Sequence, residues 1–256
     1  MYTDLQVWLE HFQYHANPRC ELPCVKPNVL TAREKKLIAD SLATFQLGEQ
    51  SEGRSLLEAA RRYETRQRVA PLAKIVSLLI AEEQHHAALI GAFMDQQGLP
   101  RKQTDWTDRA FRILRRLAGL EIQVSVLIAA ELIGKVYYRA LEAATDCRQL
   151  KALCRIIVAD ELAHVGFESE LLREMHAQKR PFLRAAVSFV HRTFFRGVSI
   201  VVWATHRPVL KAAGYRMRTF LRACDAQYSF YLEPPPATVE SFAAMRVAQV
   251  RPEQAV

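Results

Sequence analysis

The residues best placed by type and spacing to do chemistry lie in two short stretches that read as copies of one another. These are Ala81-Glu82-Glu83-Gln84-His85-His86-Ala87 and Ala159-Asp160-Glu161-Leu162-Ala163-His164-Val165. Each contains Glu-x-x-His with an acid immediately before the Glu. On a helix, positions i and i+3 share a face about one turn apart, so a carboxylate oxygen and an imidazole nitrogen can converge on one ion. Two such pairs on facing helices, each joined by a Glu from a further helix, make a carboxylate-bridged dinuclear metal site in a four-helix bundle.

Glu49 and Glu131 are the acids that complete the set. Thr31 reads as an N-cap with Glu34 closing a capping box, and Ile38, Leu42, Phe45, Glu49, Glu52, Leu56, Ala60 and Tyr63 then mark one stripe at spacings of three and four. This predicts one helix from residue 31 to about 65, with Glu49 on its apolar face and Glu52, one turn on, as the fallback ligand. Glu131 follows Val126-Leu127-Ile128-Ala129-Ala130, where a lone carboxylate is costly and must be neutral, paired or metal-bound. Glu49 to Glu83 is 34 residues and Glu131 to Glu161 is 30, separations that two antiparallel helices accommodate with both acids at mid-height.

The first copy has two overlapping registers. The stripe Ile75, Leu79, Ile90 and Phe93 centres close to His86, and the second copy has a single register at Glu161 and His164, so Glu83 and His86 are expected to be ligands, with His85 the fallback. The expected ligand set is Glu49, Glu83, His86, Glu131, Glu161 and His164. Asp160 and Glu82 are candidates to orient a ligand histidine through its other ring N–H. Four carboxylates and two imidazoles suit a hard, redox-active pair of ions rather than a thiolate-rich structural zinc.

The elements that must position these residues are helical throughout, and the expected class is all-α: a ferritin-like four-helix bundle with additional C-terminal helices. Pro71 opens a helix that runs to Gln97 before Gly98-Leu99-Pro100 stops it, and residues 101–119 read as a crossover to the far end of the bundle. Helices follow over about 120–145, 149–175, 182–213 (perturbed near Pro208) and 215–231, and Pro234-Pro235-Pro236 ends them. The expected organisation is an entry segment (1–30), the bundle (31–177), further helices packed on it (178–232) and a tail (233–256) with a short helical pattern at 239–247. In the entry segment His11, His15, Cys20 and Cys24 raise a zinc clip, but their spacing is not a common one and ordinary loop roles are favoured.

The 256 residues are 50% hydrophobic, enough for a sizeable core and too apolar for a disordered chain. The net charge of +8 favours encounter with something acidic. Much of it lies in Arg61-Arg62, Arg112, Arg115-Arg116 and a run from Arg173 to Arg222, and solvated helix faces are the plainer reading. Five cysteines, odd in number and sparse, with no secretory pattern at the N-terminus, fit a reducing cytoplasm. His191, Arg192 and Arg196 interrupt the apolar run 185–204, so no transmembrane segment is expected; lid, homodimer surface and membrane contact stay open for the last helices.

Over about residues 33–175 the chain resembles the ferritin-like di-iron superfamily. Gly48-Glu49-Gln50, Glu83-Gln84-x-His86, Glu131 in its apolar run and Asp160-Glu161-x-x-His164 are similar to aldehyde-deformylating oxygenases. Glu82-Glu83-x-His85-His86, then Met94 and Gly98-Leu99-Pro100, resemble the hydroxylases that act on a modified adenosine of tRNA. The arylamine N-oxygenases add a histidine where Ile157 stands here; His191 and His206 are weak candidates to replace it. The resemblance implies two Fe, with Mn/Fe possible, O2 as co-substrate, an external electron donor and a small organic or acyl substrate. The alternatives are hydroxylation of a modified tRNA nucleoside, iron oxidation or storage without organic substrate, and a binding module with a vestigial metal site.

Overall fold

The computed structural model describes residues 5–16, 29–50, 53–107, 109–110, 113 and 119–233, and every regular element among them is an α-helix. These are α1 (Leu5–His15), α2 (Ala32–Glu49), α3 (Arg54–Gln67), α4 (Leu72–Gln97), α5 (Leu120–Ala143), α6 (Arg148–Ala177), α7 (Pro181–Ala212) and α8 (Met217–Leu232). The tail pattern at 239–247 and the Pro234-Pro235-Pro236 stop lie outside the described residues, as do Cys20 and Cys24.

Local chemistry sets several of the boundaries. The Thr31 hydroxyl accepts the Glu34 N–H while the Glu34 carboxylate accepts the Thr31 N–H, so the capping box opens α2 as expected. The same carboxylate accepts from the Thr145 hydroxyl and the Asp146 N–H, tying the start of α2 to the turn between α5 and α6. Gly98, left-handed at φ 65°, closes α4. α7 runs unbroken through Pro208.

The expected continuous helix from 31 to about 65 is instead two helices, α2 and α3, and Glu49 is the last residue of the first. Gly53 takes φ 60°, and a Cβ there would lie 2.6 Å from the Ile80 side chain, so glycine is required where the chain turns against α4. The stripe gives no warning because it stays in phase: Leu42 before the break and Leu56 and Ala60 after it are all buried. Glu52 lies outside the described residues.

α4 packs on α2 and α3, α5 packs on α6, and contacts of α4 with α6 and α3 with α5 join the two pairs. Burial falls into two apolar clusters. One gathers Leu56 and Ala60, Ile75 and Leu79, Leu120 and Ile128, and Val165 and Leu172, together with Phe195, Trp203 and Phe220 of α7 and α8. The other gathers Ile38 and Leu42, Ile90 and Phe93, Tyr137 and Leu141, and Leu150 and Ile157. α4 and α5 therefore pass from the first cluster to the second, whereas α2–α3 and α6 pass the other way, so α4 ends at the second cluster and α5 begins at the first. α2–α3, α4 and α6 cross from one cluster to the other at Glu49, at Glu83 and His86, and at Glu161 and His164, and Glu131 joins this layer from α5 about a turn and a half before that helix passes into the second cluster at Val136 and Tyr137.

Candidate metal centre

All six expected ligands meet in that layer. Glu49, Glu83, His86 and Glu161 form one group, and Glu83, Glu131, Glu161 and His164 a second; in each, one donor atom per residue lies within 4.8 Å of all the others. Glu83 and Glu161 belong to both groups, the arrangement of bridging carboxylates between two ions. His86 and His164 are fully buried, while His85 is only half-buried and belongs to neither group.

The histidines are oriented by the acids that precede the Glu of each copy, and the pairing is crossed. His86 Nε2 lies 3.1 Å from Asp160 Oδ2, and His164 Nε2 lies 3.0 Å from Glu82 Oε2. An ionised carboxylate can only accept, so each imidazole donates its N–H there and turns Nδ1 inward as a lone pair. His164 Nδ1 then faces Glu83 Oε1 at 2.8 Å and Glu161 Oε2 at 3.6 Å, and His86 Nδ1 faces Glu161 Oε1 at 3.8 Å and Glu83 Oε1 at 3.9 Å. No hydrogen bond satisfies either Nδ1, Glu83 Oε1, Glu161 Oε2 or either oxygen of Glu131. Lone pairs that face carboxylate oxygens at this range, away from water, repel unless a proton or a cation stands between them.

The electrostatics have the same cause. Burial pushes the Glu49 carboxyl well above its ordinary range, and the charge of Glu83 adds to this. Glu131 is driven up by burial and then by Glu168, and Glu161 by burial and then by Glu83. Against the same burial, the His164 imidazole holds Glu83 down to about 2, and His164 in return is raised by Glu161, Glu82 and Glu83. Protons alone thus leave a crowded set of buried acids competing for two imidazoles. Two divalent cations would balance the four carboxylates Glu49, Glu83, Glu131 and Glu161, and the orphaned donors fit that occupant.

Glu49, Glu83, Glu131 and Glu161 also line a cavity of about 430 Å³, whereas His86 and His164 are not among its lining residues. The imidazoles therefore close one side of the cluster and the carboxylates face open space on the other. The cavity wall is apolar, drawn from Val126 and Ile133 of α5 and from Phe194, Val198, Val201 and Val202 of α7, and no Lys or Arg lines it among the described residues. Tyr138 donates to Glu49 Oε1 at 2.7 Å at the same rim.

Other histidines are placed elsewhere. His206 sits in the cavity wall with Nδ1 2.8 Å from Ser41 Oγ, and His191 Nε2 lies 2.9 Å from the Ser125 carbonyl; neither joins the cluster. His15 comes near the outer acids Glu82 and Asp160, and its ring packs on His11 at 4.5 Å.

Three contributors escaped the sequence reading. Glu168, one turn beyond His164, is 1% exposed and presses its charge on Glu131; its seven-residue spacing from Glu161 was the available signal. Tyr138 carried no such signal. The third is α1, whose Phe12 stacks on His164 at 5.8 Å and whose Trp8 donates to Glu170 at 3.0 Å. Gly166 makes room for this helix, since a Cβ there would lie 2.9 Å from the Trp8 ring. No protein-family model, curated protein or solved structure matches the chain.

Proposed function

We propose that the chain is an O2-dependent oxidoreductase in which a ferritin-like bundle holds two iron ions and oxidises a small, uncharged, apolar organic substrate. The observation that carries this reading is the inward convergence of two imidazole lone pairs and four carboxylates at the end of an apolar cavity, with both Nδ1 atoms and oxygens of Glu83, Glu131 and Glu161 unsatisfied by hydrogen bonds. Glu49, Glu83, His86, Glu131, Glu161 and His164 would hold the ions, Glu83 and Glu161 being the donors common to both groups. Bound iron supplies the reduction of O2 and the oxidation that follows, with electrons returned by an external donor. The protein's part is positional. Asp160 and Glu82 keep both Nε2–H groups occupied, so each Nδ1 stays a ligand, and Tyr138 fixes one oxygen of Glu49.

An apolar wall without a Lys or Arg gives nothing to hold a phosphate or a free carboxylate, so a hydrocarbon or neutral acyl chain fits better than a tRNA nucleoside. A purpose-built organic cavity is equally superfluous in a storage protein. Anaerobic titration with Fe(II) should saturate at about two ions per chain, the number of donor groups in the cluster. Exposure to O2 should then consume the gas with a rate that rises when aliphatic aldehydes or hydrocarbons are added. Saturation at one ion or none, or oxidation indifferent to every apolar additive, overturns the reading.

A further inference from the structure

α7 has three faces. His191, Phe195, Trp203 and His206 turn into the protein, and Phe194, Val198, Val201 and Val202 line the cavity. The third face is apolar and open: Phe182 is 71% exposed, Phe189 73%, Val190 65% and Ile200 45%. An 18-residue stretch of α7 has a mean hydropathy of 1.3 and only 17% of it is buried, so by length and composition alone the helix could cross a membrane. Its packing on α2, α5 and α8 makes it a fixed wall of the protein instead.

Charge is concentrated on the same segment. Between Lys179 and Arg222 there are ten Lys and Arg and no Asp or Glu, in a chain whose net charge is +8, so the remainder of the chain sums to −2 (+8 minus ten). Arg192 and Arg196 are held by Glu233 and Asp225, but Arg184, Arg207 and Lys211 have no acidic partner among the described residues.

We propose that the outer face of α7 docks in the plane of an anionic lipid leaflet, with Phe182, Phe189 and Val190 in the acyl boundary and the flanking arginines among the headgroups. A nucleic acid would match the charge and could stack a base on a phenylalanine but gains nothing from the aliphatic Val190 and Ile200 beside them, whereas an apolar protein partner would gain nothing from the arginines. A second copy of the same face would set the unpaired Arg184, Arg207 and Lys211 against their own counterparts. An anionic leaflet takes both properties at once. The exposed face is continuous around α7 with the stripe that walls the cavity, so docking places the cavity beside a reservoir of apolar molecules. This inference does not rest on the redox chemistry.

The experiment is flotation of the full chain with phosphatidylcholine vesicles, with and without phosphatidylglycerol, at low and high salt, beside the variant Phe182→Ser/Phe189→Ser. Both residues are exposed, so the variant should keep the wild-type melting temperature. The wild type should float with the anionic vesicles at least about tenfold more than with neutral ones, lose most of that in high salt, and be released by alkaline carbonate. The variant should lose about tenfold of the anionic binding. Absence of flotation, equal flotation of the variant, resistance to carbonate, or tRNA binding in place of vesicle binding each overturns the proposal.

Discussion

The two halves of the candidate site use the same ligand types and hold them differently. In the first, Glu49 ends α2 at the broken edge of the helix, half-buried on the cavity, and one hydrogen bond from Tyr138 holds it. In the second, Glu131 lies in the middle of an unbroken α5, 5% exposed, with neither oxygen hydrogen-bonded and Glu168 close by. A carboxylate at a helix end can swing between binding an ion through one oxygen and through two. One in mid-helix, although it lines the same cavity, has its backbone fixed on both sides and can move only by its own side-chain torsions. The difference marks the Glu49 half as the adaptable side of the site and the Glu131 half as its anchor.

The largest effect should come from residues that serve both halves. Glu83→Ala removes a donor common to both groups, so it should abolish binding of both ions. Glu49→Ala removes a donor from the first group alone and should leave about one ion per chain bound at the second. Metal analysis of the purified variants reads the outcome directly. If Glu83→Ala keeps two ions, or Glu49→Ala loses both, the division into a shared centre and two unequal halves is wrong.

Next are the crossed acids. Asp160→Asn frees His86 to change tautomer and Glu82→Gln does the same to His164, and each should weaken metal affinity by roughly 10- to 100-fold. Because His86 belongs to the Glu49 group and His164 to the Glu131 group, each variant should weaken a different one of two resolvable binding steps. Equal loss in both steps would mean that the halves act as one unit.

How much of this was legible follows from where each signal resides. The Glu-x-x-His register could be read because helical period and apolar stripe act on the same residues, and the all-helical class follows from long stripes between short breaks. The split of α2 from α3 was hidden because Gly53 answers to the Ile80 side chain, 27 residues away in sequence, while the stripe continues in phase. Glu82 and Asp160 were visible as candidates, but the crossing of their partners was not, since it depends on how α4 and α6 face each other. The hydroxyl of Tyr138 and the docking of α1 on His164 are tertiary contacts without a local pattern.

The first half also carries a titratable neighbour. His206, bonded to Ser41 and packed beside Phe45, is held down to about 4 by burial, below its ordinary 6.5. The unfolded chain therefore binds the extra proton first: the stability this group contributes is complete above about 6.5 and is lost as pH falls towards about 4. A difference on the order of 3 kcal/mol is expected across that window, and His206→Gln should flatten this part of the curve in thermal melts compared with wild type. An unchanged slope would show that the neutral His206 is not what the first half is built around.

The anchor side has its own stability test. Glu168 and Glu131 are both driven up by burial, and Glu168 Oε2 has no partner, so the metal-free protein buries an acid it would be more stable without. Glu168→Gln should raise the melting point of the metal-free protein by an amount worth about 1 kcal/mol. With metal bound the gain should shrink, because a cation on Glu131 relieves the same repulsion. A variant less stable than wild type in the metal-free state would mean that Glu168 holds the fold rather than loading the site.

The smallest change is aimed at the adaptable side. Tyr138→Phe deletes only the hydroxyl that donates to Glu49 Oε1 at 2.7 Å, leaving the ring packed against Phe45. The buried ring keeps its contacts, so stability should fall by only about 1 kcal/mol. Glu49 would then be free to turn at the end of α2, and the first of the two binding steps should release its ion several-fold faster while the second is unmoved. Chelator-chase kinetics on the loaded protein separate the two steps. If the second ion is the one released faster, adaptability belongs to the Glu131 half, and the continuity of α5 is not what holds a carboxylate in place.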